Sequence, residues 1–200
     1  GDAYQRSLAF VRHAPPLAVA AVRAACPDGV PPLTHLIVVT CTGAVAPGLD
    51  HLLIAALGLP HNLKRTMITF MGCYAAMPAL RAARNAVLAT PGARALVVCC
   101  ELSSLHLHPG PDDDALVAAC LFSDGAAAAI IEAGDTPRGI GLRLGRDVCA
   151  VIPDSADQMA WTASANGFRL RLAPGISRSL VPALAPLTDI FALPGWVPLA

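Results

Sequence analysis

Short runs of branched apolar residues alternate along the chain with longer segments whose apolar positions recur every three or four residues. His35-Leu36-Ile37-Val38-Val39-Thr40 is one such run, bounded by turn formers, and it predicts a buried strand. Thr66 to Phe70, Ala93 to Cys100 and the alanine–isoleucine run 126–131 predict three more. Residues 14–25 predict a helix starting near Pro15, with Leu17, Val19, Val22 and Ala25 as its apolar positions. Asp50 to Leu57 predicts a second helix, stopped by Gly58 and Pro60. The segment after Cys73 predicts a third, reaching about Ala89, where Pro91-Gly92 ends it. Leu102 to Asp114 reads as a polar loop, 115–122 as a short helix and Ile140 to Asp147 as a strand. Trp161 to Leu172 alternates like an antiparallel strand pair. The order β-α-β-α-β with later antiparallel elements specifies an α/β fold around a mixed, layered sheet. A composition change near Pro137 is the one internal boundary the pattern offers.

Composition narrows the class. With 55% hydrophobic and 14% charged residues at zero net charge, 200 residues can bury a large core. Nothing in that balance suggests nucleic acid or an anionic membrane as partner. Abundant alanine, leucine and valine suit strands covered on both faces. No uncharged apolar run has the length of a membrane span, and no signal-peptide pattern opens the chain. The seven cysteines (Cys26, Cys41, Cys73, Cys99, Cys100, Cys120, Cys149) are odd in number and lack metal-ligand spacing. They read as reduced thiols in a cytoplasmic protein, with no cofactor or metal implied. The start at Gly1 and the abrupt end at Ala200 read as a fragment, or as a chain parted from its neighbours.

Candidate chemistry centres on Cys73. The order Met67-Ile68-Thr69, then Gly72-Cys73, then an alanine-rich segment places this thiol where a strand ends and a helix begins. Unpaired amides and the positive helix end favour a thiolate there, hence a covalent nucleophile; a small buried hydrophobe is the blander alternative. Such a nucleophile normally needs a histidine base, and only His106 and His108 follow it in sequence. Both sit in a Pro/Asp loop where solvent exposure is expected, so neither is favoured as the base. Glu101, ending a buried strand, reads as a satisfied structural carboxylate. Asp112, Asp113 and Asp114 read as a solvated loop or helix N-terminal turn rather than a metal site. Gly43, Gly48 and Gly125 form no phosphate-binding fingerprint.

Several ordered segments carry a family resemblance. They include Thr40-Cys41-Thr42-Gly43-Ala44-Val45-Ala46-Pro47-Gly48, Leu57-Gly58-Leu59-Pro60 with Lys64-Arg65, and Gly72-Cys73-Tyr74-Ala75. The strand Gly92 to Glu101 follows, then Leu121-Phe122-Ser123-Asp124-Gly125-Ala126-Ala127-Ala128, Ile152-Pro153-Asp154-Ser155 and Asn166-Gly167-Phe168. Together these resemble type III polyketide synthases, the chalcone and stilbene synthase-like enzymes of the thiolase-like superfamily. The resemblance implies a thiolase-like layered α-β-α fold with a mixed sheet, incomplete here. Residues 1–136 would be the rest of the nucleophile-bearing N-terminal half, and 137–200 the truncated beginning of the C-terminal half. It further implies that Cys73 takes an acyl group from acyl-CoA and that malonyl-CoA is decarboxylated to extend it, without a carrier protein. Cys41 and Thr42 would line the cavity wall, Leu107 would lie near the acyl thioester, and the Ala46-Pro47 loop would approach the partner in a homodimer.

One departure bears on activity. The family's histidine lies in an Ala-His-Pro-Gly-Gly segment, and the matching Ala192-Leu193-Pro194-Gly195-Trp196 has leucine in its place. Leucine neither accepts a proton nor donates a hydrogen bond. The family's asparagine would lie beyond Ala200. The expectation is a chain that keeps the nucleophile and loses decarboxylative condensation. Two further readings stay open: a ketoacyl synthase III-like or hydroxymethylglutaryl-CoA synthase-like condensing enzyme, and a non-catalytic pairing subunit.

Overall fold

The structure, a computed structural model, describes residues 1–108, 113–134, 141–145 and 147–184. In chain order these form α1 (Ala3–Ala25), β1 (His35–Val39), α2 (Leu49–Leu57), β2 (Lys64–Ile68) and α3 (Ala76–Ala89). Then come β3 (Arg94–Leu102), a 3₁₀ turn (Ser103–His106), α4 (Asp113–Leu121) and β4 (Asp124–Glu132). The hairpin β5 (Met159–Ser164) and β6 (Gly167–Leu172) and the helix α5 (Ile176–Leu184) follow.

The main sheet has the order β2-β1-β3-β4. β1 runs parallel to both β2 and β3, and β4 is antiparallel to β3. Alternation along β1 sends Leu36 and Val38 to one face and Ile37 and Val39 to the other. α1 and α2 cover the first face, packing Phe10, Ala14, Val22 and Leu53 against Leu36, Val38, Leu96 and Val98. α3 covers the second with Ala79, Ala83 and Val87 against Ile37, Val39 and Val97. The result is the expected α-β-α layering of an α/β fold with a mixed sheet. Cys99 and Cys100 lie on opposite faces, as the strand period requires.

The structure revises four boundaries. α1 begins well before Pro15 and carries Pro15 and Pro16 inside it. Each proline removes one amide, and the carbonyls that lose a partner belong to Val11 and Arg12, both exposed residues. Phe10, Ala14, Ala18 and Val22, all fully buried at a spacing of four, hold the helix through that gap. β2 ends at Ile68 rather than Phe70, because Phe70 adopts φ 55° and Gly72 φ 85°, turning the chain out of the sheet. α4 starts at Asp113, so the aspartate run enters its first turn. The strand expected over 140–147 is not formed in the described residues 141–145. Leu142 is 86% exposed there, and alternation without a covered face does not make a strand.

Candidate active site

β3 is longer than β1, and their pairing decides what lies above the sheet. Val39, the last residue of β1, pairs with Cys99, so Glu101 reaches two residues further. Its carboxylate thereby meets the chain leaving β1. The Cys41 amide donates to both oxygens, at 2.8 and 3.0 Å, and the Thr42 amide donates to Oε2 at 3.0 Å. The Thr42 hydroxyl donates to Oε2 at 2.6 Å and accepts the Leu102 amide at 2.9 Å. The Thr40 hydroxyl lies 3.4 Å from the same oxygen. Burial pushes the Glu101 carboxyl above the usual range, while the bonds from Thr42 and Cys41 pull it back. Glu101 is therefore the satisfied structural carboxylate the sequence suggests, and it fixes the Cys41–Thr42 loop.

Cys73 sits in a turn three residues before α3 begins. The Ala75 amide donates to the Gly72 carbonyl at 3.1 Å, and the Met77 amide to the Tyr74 carbonyl at 2.8 Å. The thiol is exposed, yet enough protein surrounds it that desolvation is the largest influence, raising its pKa. Cys41 and the Glu101 carboxylate raise it further; only its own backbone amide acts the other way. The expected lowering by the helix end does not prevail, because no fixed cation stands among these influences to offset the carboxylate.

The structure brings Cys41 to Cys73: the Cys41 sulfur donates at 4.0 Å to the carbonyl of Gly72, the residue before Cys73. Thr42, the next residue after Cys41, is buried. Leu107 follows the 3₁₀ turn and is 40% exposed, and it shares no hydrogen bond with Cys73. Leu193 and its neighbours 192–196 lie outside the described residues, as does Pro137.

Two histidines are placed differently from expectation. His106 and His108 are half-buried, not solvent-exposed. The Phe168 amide donates to His106 Nδ1 at 3.2 Å, which leaves Nε2–H to donate to the Thr42 carbonyl at 2.8 Å. His108 Nε2 donates to the Phe168 carbonyl at 2.8 Å. Burial is the main cause lowering the His106 pKa, so the neutral ring is favoured.

Around His106 is a group of residues that sequence reasoning did not assemble. Trp161 stacks on Phe168 with ring centroids 5.6 Å apart, and both rings lie within contact of His106, at 5.3 and 5.1 Å. Phe70 meets the edge of Phe168 at 5.4 Å. The Trp161 indole donates to the Cys41 carbonyl at 3.1 Å. The available signal was the alternation of Trp161 and Phe168 in a predicted hairpin, whose inward face needs a partner. A cleft of about 200 Å³ adjoins this cluster, lined by Arg6, Thr42, His106, Ser164 and Phe168 among others. Among the described residues no group of three His, Cys, Asp or Glu side chains is placed to hold a metal ion, and no helix is long and apolar enough to cross a membrane.

Comparison with known proteins bears on the family and the fold. The family profile described as chalcone and stilbene synthases, N-terminal domain, matches residues 6–135. The alpha-pyrone synthesis polyketide synthase-like Pks18 of Mycobacterium tuberculosis is 42% identical over 127 residues, covering 62% of this chain and 32% of that protein. Bisdemethoxycurcumin synthase of Oryza sativa subsp. japonica is 36% identical over 177 residues, covering 82% of this chain and 44% of that protein. The solved 1,3,6,8-tetrahydroxynaphthalene synthase of Streptomyces coelicolor A3(2), a bacterial type III polyketide synthase, superposes with a TM-score of 0.83 at 30% identity. That superposition covers 96% of this chain and 56% of the other. The chain thus spans between about a third and just over half of the length of these relatives.

Proposed function

The chain belongs to the chalcone and stilbene synthase family, with the thiolase-like fold of type III polyketide synthases, and from that premise we propose that Cys73 is its acyl-accepting nucleophile. The observation that carries this reading is the placement of Cys73 in the turn before α3, beside a Cys41–Thr42 loop held rigid by Glu101. The Cys73 sulfur, once deprotonated, attacks the carbonyl of an acyl-CoA thioester. The bond to the CoA sulfur breaks, CoA leaves as its thiolate and takes a proton from solvent, and the acyl group stays on Cys73. Malonyl-CoA is the extender in this reading, and the acyl groups come from CoA without a carrier protein. Cys41 and Thr42 form the wall beside the thioester, and Leu107 lies on its approach. With leucine at 193, the chain acylates but does not complete decarboxylative condensation. A division near residue 136, a homodimer and a cytoplasmic location belong to the same reading.

The chain incubated with radiolabelled acetyl-CoA and malonyl-CoA tests it. One hydroxylamine-labile acetyl group on the Cys73 peptide, absent from Cys73→Ser, is expected. Label that survives in Cys73→Ser overturns the assignment. Efficient polyketide formation overturns the claim of lost condensation.

A non-catalytic pairing subunit is a second reading, favoured by exposed Phe70, Met71, Tyr74 and Met77 around the nucleophile turn. Size-exclusion chromatography with and without an active homologue checks it; a chain that stays monomeric in both runs rejects it.

A further inference from the structure

His106 joins two parts of the molecule that have no covalent reason to stay together. One is the loop after β1 that carries Cys41 and Thr42. The other is the β5–β6 hairpin, more than a hundred residues later in the sequence. His106 Nε2–H holds the Thr42 carbonyl at 2.8 Å, and its Nδ1 holds the Phe168 amide at 3.2 Å. His108 grips the carbonyl of the same Phe168, and Trp161 on β5 reaches back to the Cys41 carbonyl. We propose that His106 is a positioning residue: its neutral ring, accepting at Nδ1 and donating at Nε2, docks the hairpin onto the Cys41–Thr42 loop, and protonation of Nδ1 releases it.

The chemistry follows from the ring's inventory of donors and acceptors. A neutral imidazole has one acceptor nitrogen, and here it is committed to the Phe168 amide. An added proton converts that nitrogen to a donor facing another donor, so the bond is lost and the amide is left without its partner. The Thr42 and His108 bonds survive protonation, because those nitrogens already donate. The ionisable groups that act on the ring are Arg6 from α1 and His108 from its own segment. Trp161, Phe168 and Thr42 bring no ionisable group. Arg6, packed over Gly167 at the start of β6, and His108 both oppose a second positive charge. Protonation therefore needs a pH below the ordinary imidazole range, as burial also requires.

The docked state has a built-in reporter, since the Trp161 indole changes surroundings if the hairpin leaves. Trp196 is removed by Trp196→Phe so that the emission comes from Trp161 alone. Emission and far-ultraviolet circular dichroism are followed from about pH 7.5 to about pH 4.5, a range spanning histidine titration. A red shift of the emission with a midpoint below that of an ordinary histidine, at unchanged helix content, is expected. His106→Gln keeps an acceptor and a donor but cannot titrate, so its emission should stay docked-like throughout. His106→Leu should show the released emission already at neutral pH. At that pH, iodoacetamide should label Cys41 severalfold faster in His106→Leu, with His106→Gln close to the unsubstituted chain. The proposal is overturned if the emission does not respond to pH. It is equally overturned if the same transition persists in His106→Gln or disappears in His108→Gln instead. These readouts need no turnover, so they stand apart from the acyl-transfer reading above.

Discussion

Glu101 holds Thr42 twice, by the backbone amide at 3.0 Å and by the hydroxyl at 2.6 Å. The same carboxylate takes the Cys41 amide on both oxygens. Glu101→Ala leaves those amides facing an empty, buried site. Hydrogen bonds to charged groups contribute about 1.5–3 kcal/mol each, and buried donors without a partner carry their own penalty. A loss of about 3 kcal/mol in urea-denaturation stability is expected for Glu101→Ala. A loss below the usual effect of a surface substitution, about 0.5 kcal/mol, speaks against the carboxylate as the loop's anchor.

The Cys73 thiol should behave as a reluctant nucleophile in the free chain. Partial burial, Cys41 and the Glu101 carboxylate all raise its pKa. Its alkylation rate should therefore still be climbing with pH where an ordinary cysteine has levelled off. Removing the carboxylate's charge by Glu101→Gln removes one of those causes, so the profile should move to lower pH. A profile that moves upward, or a thiol already fully reactive at neutral pH, contradicts this electrostatic picture.

Gly43 owes its identity to Phe10. A Cβ built on Gly43 would lie 2.3 Å from the Phe10 ring, and that ring is fully buried. Gly43→Ala should cost about 2 kcal/mol through overpacking. In a Phe10→Leu background the same substitution should be close to neutral, giving a coupling above about 0.5 kcal/mol in a double-mutant cycle. Equal costs in the two backgrounds would mean that the ring is not what forbids a side chain at 43.

In the core, Leu96 of β3 is fully buried on the sheet face that α1 and α2 cover. Truncation to alanine removes transfer free energy and leaves a cavity. About 3 kcal/mol of lost stability is expected for Leu96→Ala, read from denaturant midpoints at unchanged slope.

Stability should also fall in mildly acidic solution, and the sign follows from His106. Burial lowers its pKa in the folded chain, so the unfolded chain binds the proton more readily. The contribution is fully present above the ordinary imidazole value of about 6.5 and is lost as pH falls through the lower folded value. Midpoints measured across that window should drop in the unsubstituted chain and drop less in His106→Gln.

β1 and β3 were legible because each is an apolar run bracketed by turn formers, and both differ little from their expected limits. The turn that carries Cys73 was legible for the same local reason, with Gly72 at φ 85° ahead of it. What escaped was set by tertiary contacts. Pro15 and Pro16 argue locally for a helix start, and only the buried stripe from Phe10 to Val22 carries α1 through them. The expected antiparallel pair over Trp161 to Leu172 is formed, with its turn at Ala165-Asn166 and Gly167 at φ 99° opening β6. His106 sits in a segment of polar residues and prolines that reads as solvent-facing. Its burial arises because a hairpin some sixty residues further on folds over it. Local composition carries no trace of such a cover.

The overhang of β3 beyond β1, which places Glu101 two residues past the last pair, has a consequence for folding fidelity. Side chains on a strand alternate, so a slip of one position would replace Glu101 with Cys100 or Leu102 beneath the Cys41 and Thr42 amides. Neither replacement could receive them. The Cys41–Thr42 loop thus acts as a checkpoint on the sheet: it takes its shape only on a chain whose two central strands have paired correctly, so a misthreaded molecule would lack this loop from the outset.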